Sequence, residues 1–190
     1  MKLFDEMPYI ADDQIELKEM TPDDAAALEI ISKDPKVYVY LPKYLFEHKY
    51  NNASEVITRI REECFRTKMS VFLGIFRKNK PSVMTGIAEI YAYDEAKNKA
   101  SIGYRLAREY WHQGIASRAA LLLKNYLDQQ IKIRTITAHV MTHNIASAKI
   151  LQSIGFEKRY PGLWEDWGRE GPVLIDKYVY KNLNNKRDPE

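Results

Sequence analysis

Residues 101–117 read SIGYRLAREYWHQGIAS, and the chain runs on at once into RAALLLKNYLDQQ. The first residues have the β character of a strand, and the stretch from Ile115 is rich in helix formers with a broad apolar face. Strand, short connection, glycine turn and helix together aim several unpaired backbone amides and the positive helix end at one point, an arrangement suited to phosphate. Gly114 lets the backbone approach a ligand closely. Ala116 is small for the same reason, and Ser117 adds a hydroxyl donor at the first turn. On its own a glycine before a helix is more often only a turn, so the reading needs a second feature.

That feature is THNIASAKILQSIGF, residues 142–156. Asn144 caps a helix over IASAKILQSI, which closes at Gly155, a favourable residue just past a helix end. Between the two features, IRTITAHVM (133–141) returns to β character. Upstream, SVFLGIFRK (70–78), TGIAEIYAYD (85–94) and ASIGYRLA (100–107) read as strands; a proline-containing connection and then a short turn imply antiparallel pairing. QIELKEM (14–20) reads as a half-exposed strand. Thr21, Pro22, Asp23 and Asp24 then open a helix through about Lys33. Residues 36–52 are aromatic-rich, broken by Pro42 and irregular or short-helical, and residues 53–68 place Val56, Ile60 and Cys64 on a helical period. FEKRYPGLW and VLIDKYVYKNL form a last strand pair around the loop EDWGREGP.

At 190 residues, 45% hydrophobic, the chain suits a single domain over 1–190, with a core from about 14 to 183 and a frayed tail at 184–190. Lys and Arg exceed Asp and Glu by only 29 to 26, with the signs interspersed, which argues against nucleic acid or a membrane surface as partner. No signal-peptide core or long apolar run is present, which points to the cytoplasm. Cys64, the one cysteine, stands among acids that raise a thiol pKa and reads as structural.

The order strand, amide-rich turn, helix, strand, Asn-capped helix, Gly-Phe resembles the GNAT superfamily of acetyl-CoA-dependent N-acetyltransferases. More narrowly it is similar to the ribosomal-protein N-terminal acetyltransferases and their relatives, in which IGY, a YW pair, GIA and N-x-x-S recur. The resemblance covers about Ile15 to Leu183 and is specific in Tyr104 to Ser117 and Asn144 to Phe156. It implies an α/β fold with a mixed, mostly antiparallel central sheet flanked by helices and splayed at an acetyl-CoA cleft. The amides of Gln113, Gly114, Ile115, Ala116 and Ser117 would hold the pyrophosphate of coenzyme A. Leu106 would pair its backbone with the pantetheine arm, where the strand of Tyr104 parts from that of Thr137 and Ala138. Trp111 fills the slot often held by Gln or Arg, so the amides act without a guanidinium there.

The activity implied is acetyl transfer to a primary amine, a protein N-terminal α-amine among the candidates. The alternatives are a small-molecule acceptor, polyamine or antibiotic, and a noncatalytic acyl-CoA-binding module; pairing of two copies of the chain stays open. The position of the usual sulfur-protonating Tyr holds Leu151, and this branch instead uses Ser147, which with Asn144 would donate toward the sulfur and the pantetheine. Bland readings remain beside these, a helix cap for Asn144 and a polar first-turn residue for Ser147. Glu89 is the only acid within a central strand and the candidate base, since the acid that relatives commonly carry just before IGY is replaced by Ser101. Trp164 and Trp167 bracket Glu165 and Asp166 in a loop that could gate an amine, and the region of Tyr38 to Tyr50 shapes the acceptor pocket in similar proteins. No metal site is expected: His139 and His143 lie on a strand and its following loop, where their rings do not converge. His112 reads as a surface residue.

Overall fold

The computed structural model describes residues 2–182, so the expected frayed tail lies outside the described residues. Eight strands form one sheet: β1 (Ile10–Ala11), β2 (Ile15–Lys18), β3 (Ser70–Arg77), β4 (Lys80–Asp94), β5 (Lys99–Leu106), β6 (Thr135–Met141), β7 (Glu157–Glu165) and β8 (Val173–Lys181). Their order across the sheet is β1-β2-β3-β4-β5-β6-β8-β7, and every neighbouring pair is antiparallel except β5 with β6. The helices are α1 (Ala25–Lys33), α2 (Ala53–Arg59), α3 (Ile115–Asn125) and α4 (Ile145–Ser153).

Both faces of the sheet are covered, each by its own core. On one, α3 and α4 bury Ile115, Ala119, Leu123 and Leu151 against Leu73, Ile90, Ile102 and Ile136. On the other, α1 and α2 bury Leu28, Ile31, Val56 and Ile57 against Phe72, Phe76 and Ile87. Each Leu, Ile, Val or Phe among them contributes about 1.5–3 kcal/mol by leaving water. Val56, Ile60 and Cys64 are all buried, and their strict four-residue spacing is accommodated because α2 widens into a π-helical stretch over Ile60–Phe65.

The sequence places most of these elements within a few residues. Two points differ. The edge strand β1 is only two residues long, too short to show an alternation that sequence could reveal. β4 starts at Lys80 rather than after a proline-containing connection, because the β3–β4 turn is only Lys78 and Asn79. Pro81 is tolerated there because it lies exposed beside the register shifts at Ile75–Arg77.

Candidate active site

The parallel pair β5–β6 holds register only over Lys99–Thr135, Ala100–Ile136 and Ser101–Thr137. Ser101 and Thr137 close the paired end with a buried hydroxyl bond of 2.7 Å, and beyond it the strands part. Ser101 is thus committed to holding the two strands together. Because side chains alternate along a strand, the contact puts Ser101, Gly103 and Arg105 on the same face as Thr137 and His139. Glu89 stands opposite Gly103 in register and shares that face. Tyr104 and Ala138 point the other way, toward α4.

A cavity of about 750 Å³ is lined by residues of both faces, including Glu89, Gly103 and His139 on one side and Tyr104, Ser147 and Leu151 on the other. A cavity with two such walls passes through the sheet, at the gap that β5 and β6 leave. On the α4 side the Tyr104 hydroxyl lies 3.0 Å from Ser147 Oγ. Two hydroxyls carry two protons, and the bond between them uses one, so one donor stays available to the cavity whichever way the bond runs. Burial pushes the Tyr104 phenol up to about 12, so it donates as a neutral hydroxyl. Asn144 accepts the Ser147 amide at 3.2 Å as the cap of α4 and also lines the cavity.

Behind the opposite wall lies a buried charge cluster, of which Glu89 and Arg105 line the cavity. Arg105 lies between two carboxylates, with Nε 2.5 Å from Glu47 Oε1 and Nη1 3.3 Å from Glu89 Oε2. The Tyr38 hydroxyl donates to Glu47 at 2.8 Å. One guanidinium against two carboxylates leaves this cluster net negative if both are ionised, while Lys43 and Lys49 line the same cavity. Burial raises the Glu89 carboxyl to about 7; Arg105 opposes that rise and Glu47 adds to it. Nearby, His139 Nδ1 meets Glu165 at 2.9 and 3.0 Å, and the Trp167 indole donates to the same carboxylate at 2.9 Å. The segment between α1 and α2 closes over this end: Arg169 Nη2 donates to the carbonyls of Tyr38, Val39 and Leu41, and the Lys43 amide to that of Trp167.

On the chain beyond β5, α3 begins at Gly114 in the left-handed region (φ +76°), with no side chain capping the helix. Arg118 is the first residue whose amide is taken within the helix, by the Gly114 carbonyl at 3.1 Å, which leaves the amides of Ile115, Ala116 and Ser117 as a helix start presents them. A Cβ on Gly114 would meet nothing within 4 Å, so the space beside Gly114 is open. The residues present fit an anionic phosphate. Gly114→Asn keeps the left-handed conformation, which Asn tolerates, and fills that space. Its affinity for coenzyme A should fall about tenfold or more with little change in melting temperature; unchanged affinity would displace the phosphate from this turn. Valine would confound blockage with backbone strain.

The profile of the acetyltransferase (GNAT) domain matches residues 14–157. The chain belongs to the GNAT acetyltransferase family. This GNAT acetyltransferase is 27% identical over 180 residues to the uncharacterized N-acetyltransferase p20 of Bacillus licheniformis, covering 95% of this chain and 98% of that one. Its fold is similar to that of Mycobacterium smegmatis RimJ in complex with a coenzyme A disulfide, with a TM-score of 0.80 at 17% identity over 99% of this chain and 93% of that one. It is also similar to a spermidine N-acetyltransferase from Vibrio cholerae, with a TM-score of 0.72 at 15% identity over 90% and 95% of the two chains. The chain is an N-acetyltransferase with the mixed, mostly antiparallel sheet expected of the family.

Of the residues singled out in the sequence, Glu89, Asn144 and Ser147 line one cavity, while Gln113 to Ser117 form the turn at the start of α3. The Gln113 side chain is turned back to the Glu109 carbonyl at 2.7 Å. Leu106 is partly committed: its carbonyl accepts the Trp111 indole at 3.0 Å, so Trp111 braces the strand end. Trp164 and Trp167 part company, the first exposed and the second buried in the cavity wall. Asp166 accepts the Gly168 amide, so of the two loop acids only Glu165 faces the cavity. His143 Nδ1 lies 3.3 Å from the Thr142 hydroxyl. Cys64 reaches the cavity, but burial pushes its thiol up to about 12 and keeps it neutral. Sequence alone assigns no catalytic role to Tyr104, Arg105, Glu47 or His139.

The elevated Glu89 carboxyl has a measurable sign. A carboxyl whose folded pKa is raised to about 7 from 4.5 binds its proton more tightly when folded, so its contribution favours folding at low pH and is lost as pH rises through that window. The melting temperature of the wild type minus that of Glu89→Gln should therefore be larger at about pH 5 than at about pH 8. The reverse order would contradict the burial of Glu89.

Proposed function

We propose that the chain transfers the acetyl group of acetyl-CoA to a primary amine, with a protein N-terminal α-amine as the acceptor. The observation that carries the reading is the cavity through the sheet, with a hydroxyl pair on the α4 side and buried carboxylates on the other. The amides of Ile115, Ala116 and Ser117 would hold the pyrophosphate, and the gap between β5 and β6 would take the arm that ends in the thioester. Acetyl-CoA, when bound, supplies an activated acyl carbon and a thiolate leaving group. Ser147 and Tyr104 donate a hydrogen bond to the departing sulfur. Asn144 holds the first turn of α4, and with it Ser147, in place. Glu89 stands at the far wall as a candidate proton acceptor.

An α-amine has a pKa near 8 and is partly neutral at neutral pH, whereas an alkylamine near 10.4 is almost wholly protonated. A site that must deprotonate its nucleophile therefore works more easily on the former. A competition among peptides with free N-termini, polyamines and lysine-containing peptides with blocked N-termini, read by mass spectrometry, tests the assignment. Acetylation at the α-amine is expected to dominate; preferred acetylation of polyamine or lysine side chains would contradict it. In a separate assay, acetyl-CoA should raise the melting temperature more than adenosine nucleotides do, because the thioester arm adds contacts in the gap.

A further inference from the structure

We propose that His139, held by Glu165 and Trp167, is the group that takes the proton from the attacking amine; the proposal rests on the acetyl-transfer reading above. An ionised Glu165 can only accept hydrogen bonds, so the His139 Nδ1 at 2.9 Å from it carries the hydrogen. In the neutral ring Nε2 then presents a bare lone pair, and among the described residues no hydrogen bond reaches Nε2. The carboxylate is itself fixed by the Trp167 indole at 2.9 Å, which sets the ring's tautomer and orientation. Protonation at Nε2 creates an imidazolium already paired with a carboxylate.

Glu89 is less well placed for the same task. Its Oε2 is engaged by Arg105, and its side chain is 11% exposed against 23% for His139. Taking a proton would also remove one of the two carboxylates that balance a buried guanidinium. The charged and titratable groups that share the cavity lining with His139 are Glu89 and Tyr91 from β4, Tyr104 and Arg105 from β5, Glu165 from β7, Cys64, and Tyr40, Lys43, Tyr44, His48 and Lys49 from the segment between α1 and α2, with Lys177 opposite His139 on β8. Among the described residues only Glu165 is hydrogen-bonded to the ring.

In the transfer, the neutral amine forms the N–C bond, the C–S bond breaks, and Nε2 receives the proton that nitrogen loses. The thiolate takes a proton from water beside the Ser147–Tyr104 pair, and the imidazolium returns one to water. The sum is amine plus thioester giving amide plus thiol.

Ring-nitrogen NMR of the wild-type protein alone should show the neutral His139 with hydrogen on Nδ1; the Nε2–H tautomer would overturn the proposal. On the acid side, the logarithm of wild-type kcat/KM should fall with slope two, one proton from the acceptor and one from the base. His139→Gln should lower kcat/KM by on the order of a hundredfold and reduce that slope to one, with acetyl-CoA affinity unchanged. If the slope stays at two in His139→Gln and drops to one in Glu89→Gln, the base is Glu89 and the proposal falls. A wild-type protein that releases no thiol with any amine would remove both readings, whereas an active enzyme with a profile indifferent to His139 removes only this one.

Discussion

Replacing Ser147 by alanine is expected to lower kcat by roughly ten- to a thousandfold, with acetyl-CoA affinity nearly unchanged. Ser147 and Tyr104 lie 3.0 Å apart and share one proton between them, leaving one to donate toward the sulfur. Removing Ser147 takes away the member nearer the start of α4 and leaves the phenol, at about 12, without its neighbour. Stability should change by at most about 1 kcal/mol, since Asn144 still caps the helix. Tyr104→Phe should give a loss of the same order. If the two hydroxyls act as one unit, the double variant should be little worse than the poorer single one, because groups that act together are not additive. Losses that multiply would mean that they serve separate ends, and normal single-turnover rates in Ser147→Ala would remove Ser147 from the chemistry.

The second large effect concerns folding. Arg105→Met should destabilise the protein by about 3–5 kcal/mol at about pH 8, a drop of roughly 6–20 °C in melting temperature for a chain of this size. Arg105 is buried against Glu47 and Glu89, and its removal leaves two carboxylates facing one another without a counter-charge. The loss should shrink at about pH 5, where Glu89, already raised to about 7, takes up a proton and relieves the repulsion. Replacing all three together, Glu47→Gln, Arg105→Met and Glu89→Gln, should recover most of the loss, because no uncompensated charge then remains. A single variant as stable as the wild type at about pH 8 would show that the cluster is not buried as described.

What is legible in the sequence follows from how local each signal is. The turn at Gly114 and the cap at Asn144 are written within a few residues, so the chain itself locates them. Strand alternation places Glu89 inside the sheet but does not name its partners. Glu47 lies in a short 3-10 turn of an aromatic-rich segment that has no periodicity to read, and it meets Arg105 only because that segment folds over the sheet. Tyr104 belongs to the IGY motif, yet its contact with Ser147 spans 43 residues and depends on α4 packing behind β5. His139 shares a face with Thr137, an alternation visible in the sequence. Its partner Glu165 is joined to it through β8, which pairs with both β6 and β7, and no pairing order of that kind is written locally. Trp164 and Trp167 show the opposite error, since nearness in sequence suggests a shared role that the strand end divides.

A cavity that carries out acetyl transfer differs from one that merely holds a thioester in what happens to the sulfur. Free-thiol release by the wild-type protein, followed with and without a peptide bearing a free N-terminus, separates the two. Amine-dependent release of coenzyme A is expected, in one-to-one proportion with acetylated peptide, together with coenzyme A binding that is weakened about tenfold or more in Gly114→Asn. Tight binding of acetyl-CoA with no thiol released above background, whatever amine is supplied, would contradict catalysis by this cavity.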